Sequence, residues 1–156
     1  MSWFFVIKAL HLLGVSFFLG GGSLIAYYKL RADASKDIHI IAWVHREIVL
    51  ADFLVTIPSG IVVLSTGLYM AHLLSLSIST PWVFLALLSF SMAGICWLPA
   101  AFLQVRMRNL TQEALKNNAT LPPAYHRASL IWTLLGVPSF GAVLFTLWLM
   151  ISKWYP

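Results

Sequence analysis

The chain has 156 residues, 60% of them hydrophobic and only 10% charged, with one cysteine and a formal net charge of +5. A water-soluble domain carries roughly 25% charged residues, so this composition, with its mean hydropathy of +0.86, excludes a soluble globule and points to an integral membrane protein. The lone Cys96 excludes an intrachain disulfide, and the basic residues sit in short segments between apolar runs, as topology signals do, which excludes nucleic-acid binding.

A bilayer core of about 30 Å needs roughly 20 apolar residues in a helix. Four segments supply them, at about 3–28, 48–71, 82–104 and 130–152. The predicted fold class is all-α: one integral membrane domain, 1–156, built as a bundle of four transmembrane helices. The first segment opens MSWFFVIK, without a basic n-region, and is too long for a signal-peptide core, so it reads as a retained helix. It contains KALHLLGVSFFLGGG, whose Gly14, Gly20, Gly21 and Gly22 read as points of close approach between helices.

The polar stretch KLRADASKDIH is the predicted first loop. Helix two carries Asp52 and Pro58 and ends at His72. The short loop HLLSLSISTP leads into helix three, which contains Pro99. The segment RMRNLTQEALKNNATLPPAYHR should continue that helix and break at Pro122–Pro123, because proline cannot sustain a helix interior. Helix four has Pro138 in GVPSFG, in surroundings like the TIPSG of Pro58. Gly14 and Gly94 share the 80-residue spacing of Pro58 and Pro138, which suggests two helix-pair repeats.

Lys29, Arg31, Lys36 and Arg46 flank the first loop, and Arg106, Arg108, Lys116 and Arg127 the third. Lys8 and Lys153 lie near the opposite ends. The positive-inside rule then predicts loops one and three in the cytoplasm and both termini outside, in the periplasm beyond a bacterial inner membrane. Trp3, Trp82, Trp154 and Tyr155 would form an aromatic belt on the outer side.

An ionisable side chain in hydrocarbon costs at least about 2.5–3.5 kcal/mol, so it should face the bundle or a cavity. His11 is the deepest, roughly 6 Å from the midplane. Lys8, three residues earlier, is expected on the same helical face and nearer the outer surface. This pattern suits neutral His11 as an axial ligand to heme iron, with Lys8 pairing a propionate or assisting proton transfer. The alternative has His11 hydrogen-bonded across the bundle while Lys8 snorkels outward. His72 is the second candidate cofactor and metal ligand, although straight helices offset it from His11 by roughly 12 Å. Asp52 requires a partner or a proton: either an interhelical pair with Arg46, Arg106 or Arg108, or a relay role that would make it catalytic together with Lys8. His45 and Glu47 should be solvated at the interface, and His39 and His126 should be loop residues. Zinc-type spacings, nucleophile triads and phosphate loops do not occur.

KALHLLGVSFFLGGG, VLADFLVTIPSGIVVLSTGLYMAHLLSLSISTPW, CWLPAAFLQVRMRNL and PPAYHRASLIWTLLGVPSFGAVLFTLWLM resemble, over nearly the whole chain, a bacterial family of predicted integral membrane proteins of unknown function. More distantly, K-A-x-H at Lys8–His11 and the TIPSG kink are similar to the HemJ-type protoporphyrinogen oxidases. That resemblance implies heme b and electron transfer between a membrane-soluble donor, a quinone or porphyrinogen, and an acceptor. The sequence departs from that pattern in the inserted serine of TIPSG and in YYKLRADAS, which stands where a tyrosine- and arginine-rich segment is usual; the substrate therefore stays open. The K-A-x-H start is also similar to CopD-type copper-resistance domains. The rival expectation is a non-enzymatic membrane module, copper-handling or an accessory subunit, with homodimerisation through Gly20–Gly22.

Overall fold

A computed structural model describes residues 2–152; Lys153, Trp154 and Tyr155, expected in the outer charge count and the aromatic belt, lie outside the described residues. The described chain consists of α1 (Ser2–Ser35), α2 (Ile38–Ala51), a π-helical turn (Asp52–Thr56), α3 (Ile57–Leu73), α4 (Pro81–Lys116) and α5 (Pro123–Ser152). α2, the π turn and α3 form one continuous rod. The fold is all-α, with four helices long and apolar enough to cross a membrane.

The helices outrun the hydrocarbon. At 36 residues, α4 is about 54 Å long against a core of about 30 Å. The polar stretch after the first apolar run is therefore not a loop: α1 continues to Ser35, and the turn is confined to Lys36 and Asp37. Lys36 leaves the helix at φ 57°, and the Asp37 carboxylate accepts the His39 N–H at 2.8 Å to cap α2. α4 ends at Lys116, ahead of Pro122–Pro123. Asn118 takes φ 48°, and the Ala119 N–H closes back onto the Ala114 carbonyl at 2.9 Å, a Schellman-type stop. Pro123 opens α5, where its missing N–H is no loss.

Pro99 and Pro138 lie inside helices that continue through them. Pro58 acts differently. It has no N–H, and its ring crowds the carbonyl four residues earlier. The preceding turn is widened, with the Ile57 N–H bonded to the Asp52 carbonyl five residues back. The kink is thus a π bulge with an identifiable cause.

α1 packs along the α2–α3 rod, α4 packs along α5, and α2 joins the two pairs by lying on α4. Ser89 Oγ donates to the Ala142 carbonyl at 2.9 Å and Ser139 Oγ to the Ala93 carbonyl at 3.0 Å, two hydrogen bonds between α4 and α5. Large apolar side chains such as Phe17, Phe53, Phe102, Leu134 and Ile151 face outward, as a lipid-facing surface requires. Gly14 and Gly21 are points of close approach: a Cβ there would sit 3.1 Å from Val62 and Val63, or 3.2 Å from Val55. Gly20, Gly22 and Gly94 have open space instead, so within this chain no helix closes on Gly20 or Gly22, and Gly94 is not the packing counterpart of Gly14.

Candidate functional site

His11 is buried where α1 crosses α3. Its Nδ1 lies 2.9 Å from Thr66 Oγ1, and the Thr66 hydroxyl donates to the Val62 carbonyl. With the hydroxyl proton committed, the Thr66 oxygen accepts from His11 Nδ1–H, which leaves Nε2 as the nitrogen with the lone pair. Gly67 makes room for the ring: a Cβ there would be 3.2 Å from His11 Cε1. The ring is thus hydrogen-bonded across the bundle through Nδ1, as one of the two expectations had it.

The other two members of the expected site are not beside it. Lys8 is exposed while His11 is buried. Three residues turn a helix through about 300°, not a full turn, and the edge of the packed face falls between them. His72 is exposed in the last turn of α3, six residues beyond Thr66 and so about 9 Å farther along the axis. Among the described residues, no three or more His, Cys, Asp or Glu side chains gather as a metal site would need.

Asp52 opens the π turn and is buried, with Thr56 of the same turn and Gln104 of α4 facing its carboxyl group. Asp52 Oδ2 and Thr56 Oγ1 are buried without a hydrogen-bond partner. The expected arginine pair is not formed. Ion pairs among the described residues are Lys29–Asp33 at 2.9 Å and Arg46–Glu47 at 3.0 Å, and Arg108 bonds the neighbouring Asn109. Arg46 precedes Asp52 by six residues, about one and two-thirds turns, and projects from a different side of the rod.

A second polar cluster joins α1, α2 and α5. Lys29 and His45, expected at a loop edge and in solvent, are 1% and 0% exposed. Lys29 Nζ pairs with Asp33 Oδ2, donates to Ser129 Oγ and lies 5.0 Å from the centre of the Trp132 ring. Ser129 Oγ in turn donates to Asp33 Oδ2 at 3.2 Å. Tyr125 OH donates to Asp33 Oδ1 and stands 2.8 Å from His45 Nε2. Because the phenol proton goes to the carboxylate, His45 Nε2–H is the donor to Tyr125, and its buried Nδ1 has no partner. Three helices are tied here: α1 through Lys29 and Asp33, α2 through His45, α5 through Tyr125 and Ser129. The i,i+4 spacing of Lys29 and Asp33 was the available sequence signal.

Asp33 and Tyr125 also line a cleft of about 560 Å³ between the α1–α2 turn and the α4–α5 connection, with Lys36, His39 and His126 among its other lining residues. His39 and His126 are exposed there, as expected.

The family described as "Predicted integral membrane protein (DUF2269)" matches residues 5–154. Comparison with curated proteins finds no match, and comparison with solved structures finds none either.

Proposed function

The chain belongs to the DUF2269 family of predicted integral membrane proteins, and on that footing we propose that it is a multi-pass protein of the bacterial inner membrane, termini outside, that holds heme b through His11. In this reading it passes electrons between a membrane-soluble donor, a quinone or porphyrinogen, and an acceptor. One observation carries the proposal: His11 Nδ1 is engaged by Thr66 at 2.9 Å. Metal-ligating histidines donate their other N–H to an oxygen in this way, which fixes tautomer and ring orientation. His11 Nε2 would be the ligand and Thr66 the group that aims it. Exposed Lys8 would swing its ammonium to a propionate from the neighbouring turn. Bound heme supplies one-electron chemistry, tuned by its axial ligand and by burial.

Of the two histidines, His11 alone would hold the group: His72, about 9 Å farther along α3 and exposed, would not reach the same metal in this arrangement. The K-A-x-H pattern at Lys8–His11, if HemJ-like, agrees with the reading. A copper site is favoured less, because the described residues gather no group of three ligands. Protein purified from heme-replete cells should contain heme by pyridine hemochrome assay, and His11→Ala should lose it while keeping its helical circular dichroism. A colourless wild-type preparation would remove the proposal.

A second reading has its own observation. Gly20 and Gly22 leave open space on α1, a surface that a partner helix or a second copy of the chain can approach closely. An accessory, non-enzymatic role would be favoured by a stoichiometric partner co-purifying with a chromophore-free protein.

A further inference from the structure

We propose that Asp33, Tyr125 and His45 form a proton-transfer path connecting the cleft between the α1–α2 turn and the α4–α5 connection to Asp52 inside the bundle. His11 takes no part in it, so this inference stands apart from the cofactor reading.

The path begins at Asp33, whose side chain is 25% exposed and lines the cleft. It continues through the Tyr125 hydroxyl to His45, which is 0% exposed. The donors share one direction. The His45 ring takes a proton on Nδ1 from the Asp52 carboxyl group, which becomes a carboxylate. His45 Nε2 then gives its proton to the Tyr125 oxygen as Tyr125 gives its own to Asp33 Oδ1, and Asp33 releases a proton to water in the cleft. Tyr125 is left donating to His45 Nε2, oriented for the reverse sequence, which returns a proton to Asp52. One proton enters the chain and one leaves it at each passage, and no electrons move.

His45 and Asp52 lie seven residues apart on one rod, two turns or about 10 Å. Orphaned polar atoms mark both ends of that interval: His45 Nδ1 on one side, Asp52 Oδ2 and Thr56 Oγ1 on the other. Buried polar atoms are normally satisfied by protein or by internal water, so these are the groups at which a chain of about three internal waters would begin and end. The groups facing Asp52 are Thr56 on its own turn and Gln104 from α4, and on the α1 side Gly21 abuts Val55 and Thr56. None is charged. A carboxyl group at membrane depth is matched by a cation or by a proton, and here the proton is the match. The π turn gives the same position a second mark, since such bulges recur at functional sites.

Infrared spectroscopy of the full-length protein in lipid nanodiscs tests this. The wild type should show a protonated carboxyl band that is missing in Asp52→Asn, and transfer into D2O should shift it. Tyr125→Phe and His45→Gln should each slow that shift by at least about a hundredfold, the low side of what one positioned proton-transfer group contributes. If Tyr125→Phe fails to fold, His45→Gln carries the test, because its amide still partners Tyr125 while ending the relay. Absence of an Asp52 carboxyl band in the wild type, or an unchanged exchange rate in either folded variant, overturns the proposal.

Discussion

Lys29→Met tests whether the ionic cluster holds the helices together. Lys29 is 1% exposed, and its ammonium meets Asp33, Ser129 and the Trp132 ring. Methionine keeps most of the apolar stem and leaves Asp33 without its cation. Breaking a buried pair from one side costs about 3–5 kcal/mol. Asp33 keeps 25% of its side chain exposed and retains hydrogen bonds from Tyr125 and Ser129, which places the expected loss near the low end, about 3 kcal/mol. That is roughly a hundredfold in the unfolding equilibrium. Asp33→Asn should cost a similar amount by stranding the lysine. The double variant Lys29→Met/Asp33→Asn removes both charges while the asparagine still accepts from Tyr125, and it should return to within about 1 kcal/mol of wild type. Reversible unfolding in mixed micelles, followed by tryptophan fluorescence, would give the double-mutant cycle, with an expected coupling of about 5 kcal/mol, the two single losses less that of the double variant. A single-variant loss below about 0.5 kcal/mol, the level of exposed pairs, or a double variant as unstable as the sum of the singles, would refute the reasoning.

Thr66→Val removes the acceptor of His11 Nδ1–H at constant shape and should cost about 1–3 kcal/mol in the same assay; a neutral result would mean the ring is held by something else. Gly67→Ala places a methyl group 3.2 Å from His11 Cε1 and should destabilise by about 1–3 kcal/mol through overpacking, with a displaced His11 ring resonance in NMR as the second readout. Ser89→Ala and Ser139→Ala each remove one hydrogen bond between α4 and α5 and should cost only about 0.6 kcal/mol apiece, as such bonds do in membranes. A loss beyond about 2 kcal/mol for either would show that more than the hydrogen bond depends on it, since the largest measured values are about 1.7 kcal/mol.

Hydropathy was enough to find four spans because lipid leaves an apolar helix as the simplest way to satisfy a backbone at membrane depth. It could not find where the helices end. The segment from Lys29 to Ser35 is polar and looks like a loop, yet α1 runs through it because Lys29 and Asp33 face Ser129 and Tyr125 across the bundle. Those partners lie about a hundred residues away in the chain, and nothing local announces them. The same holds for His45: its polarity suggests water, and its actual partner is a tyrosine on α5. Depth along the helix singled out His11, which is buried, whereas the face occupied by Lys8 depended on where packing stops. Pro58 was legible as a kink, but the π turn it accompanies, with Asp52 at its start, emerges only from the hydrogen bonds of the folded rod.

The most direct measurement of the central claim is the absorption spectrum of purified His11→Gly protein with and without added imidazole, beside the wild type and His72→Ala. A Soret band in the wild type and in His72→Ala, lost in His11→Gly and restored by imidazole, is the expected result. A wild type without the band, or a His11→Gly protein that keeps it in full, would contradict His11 as the ligand.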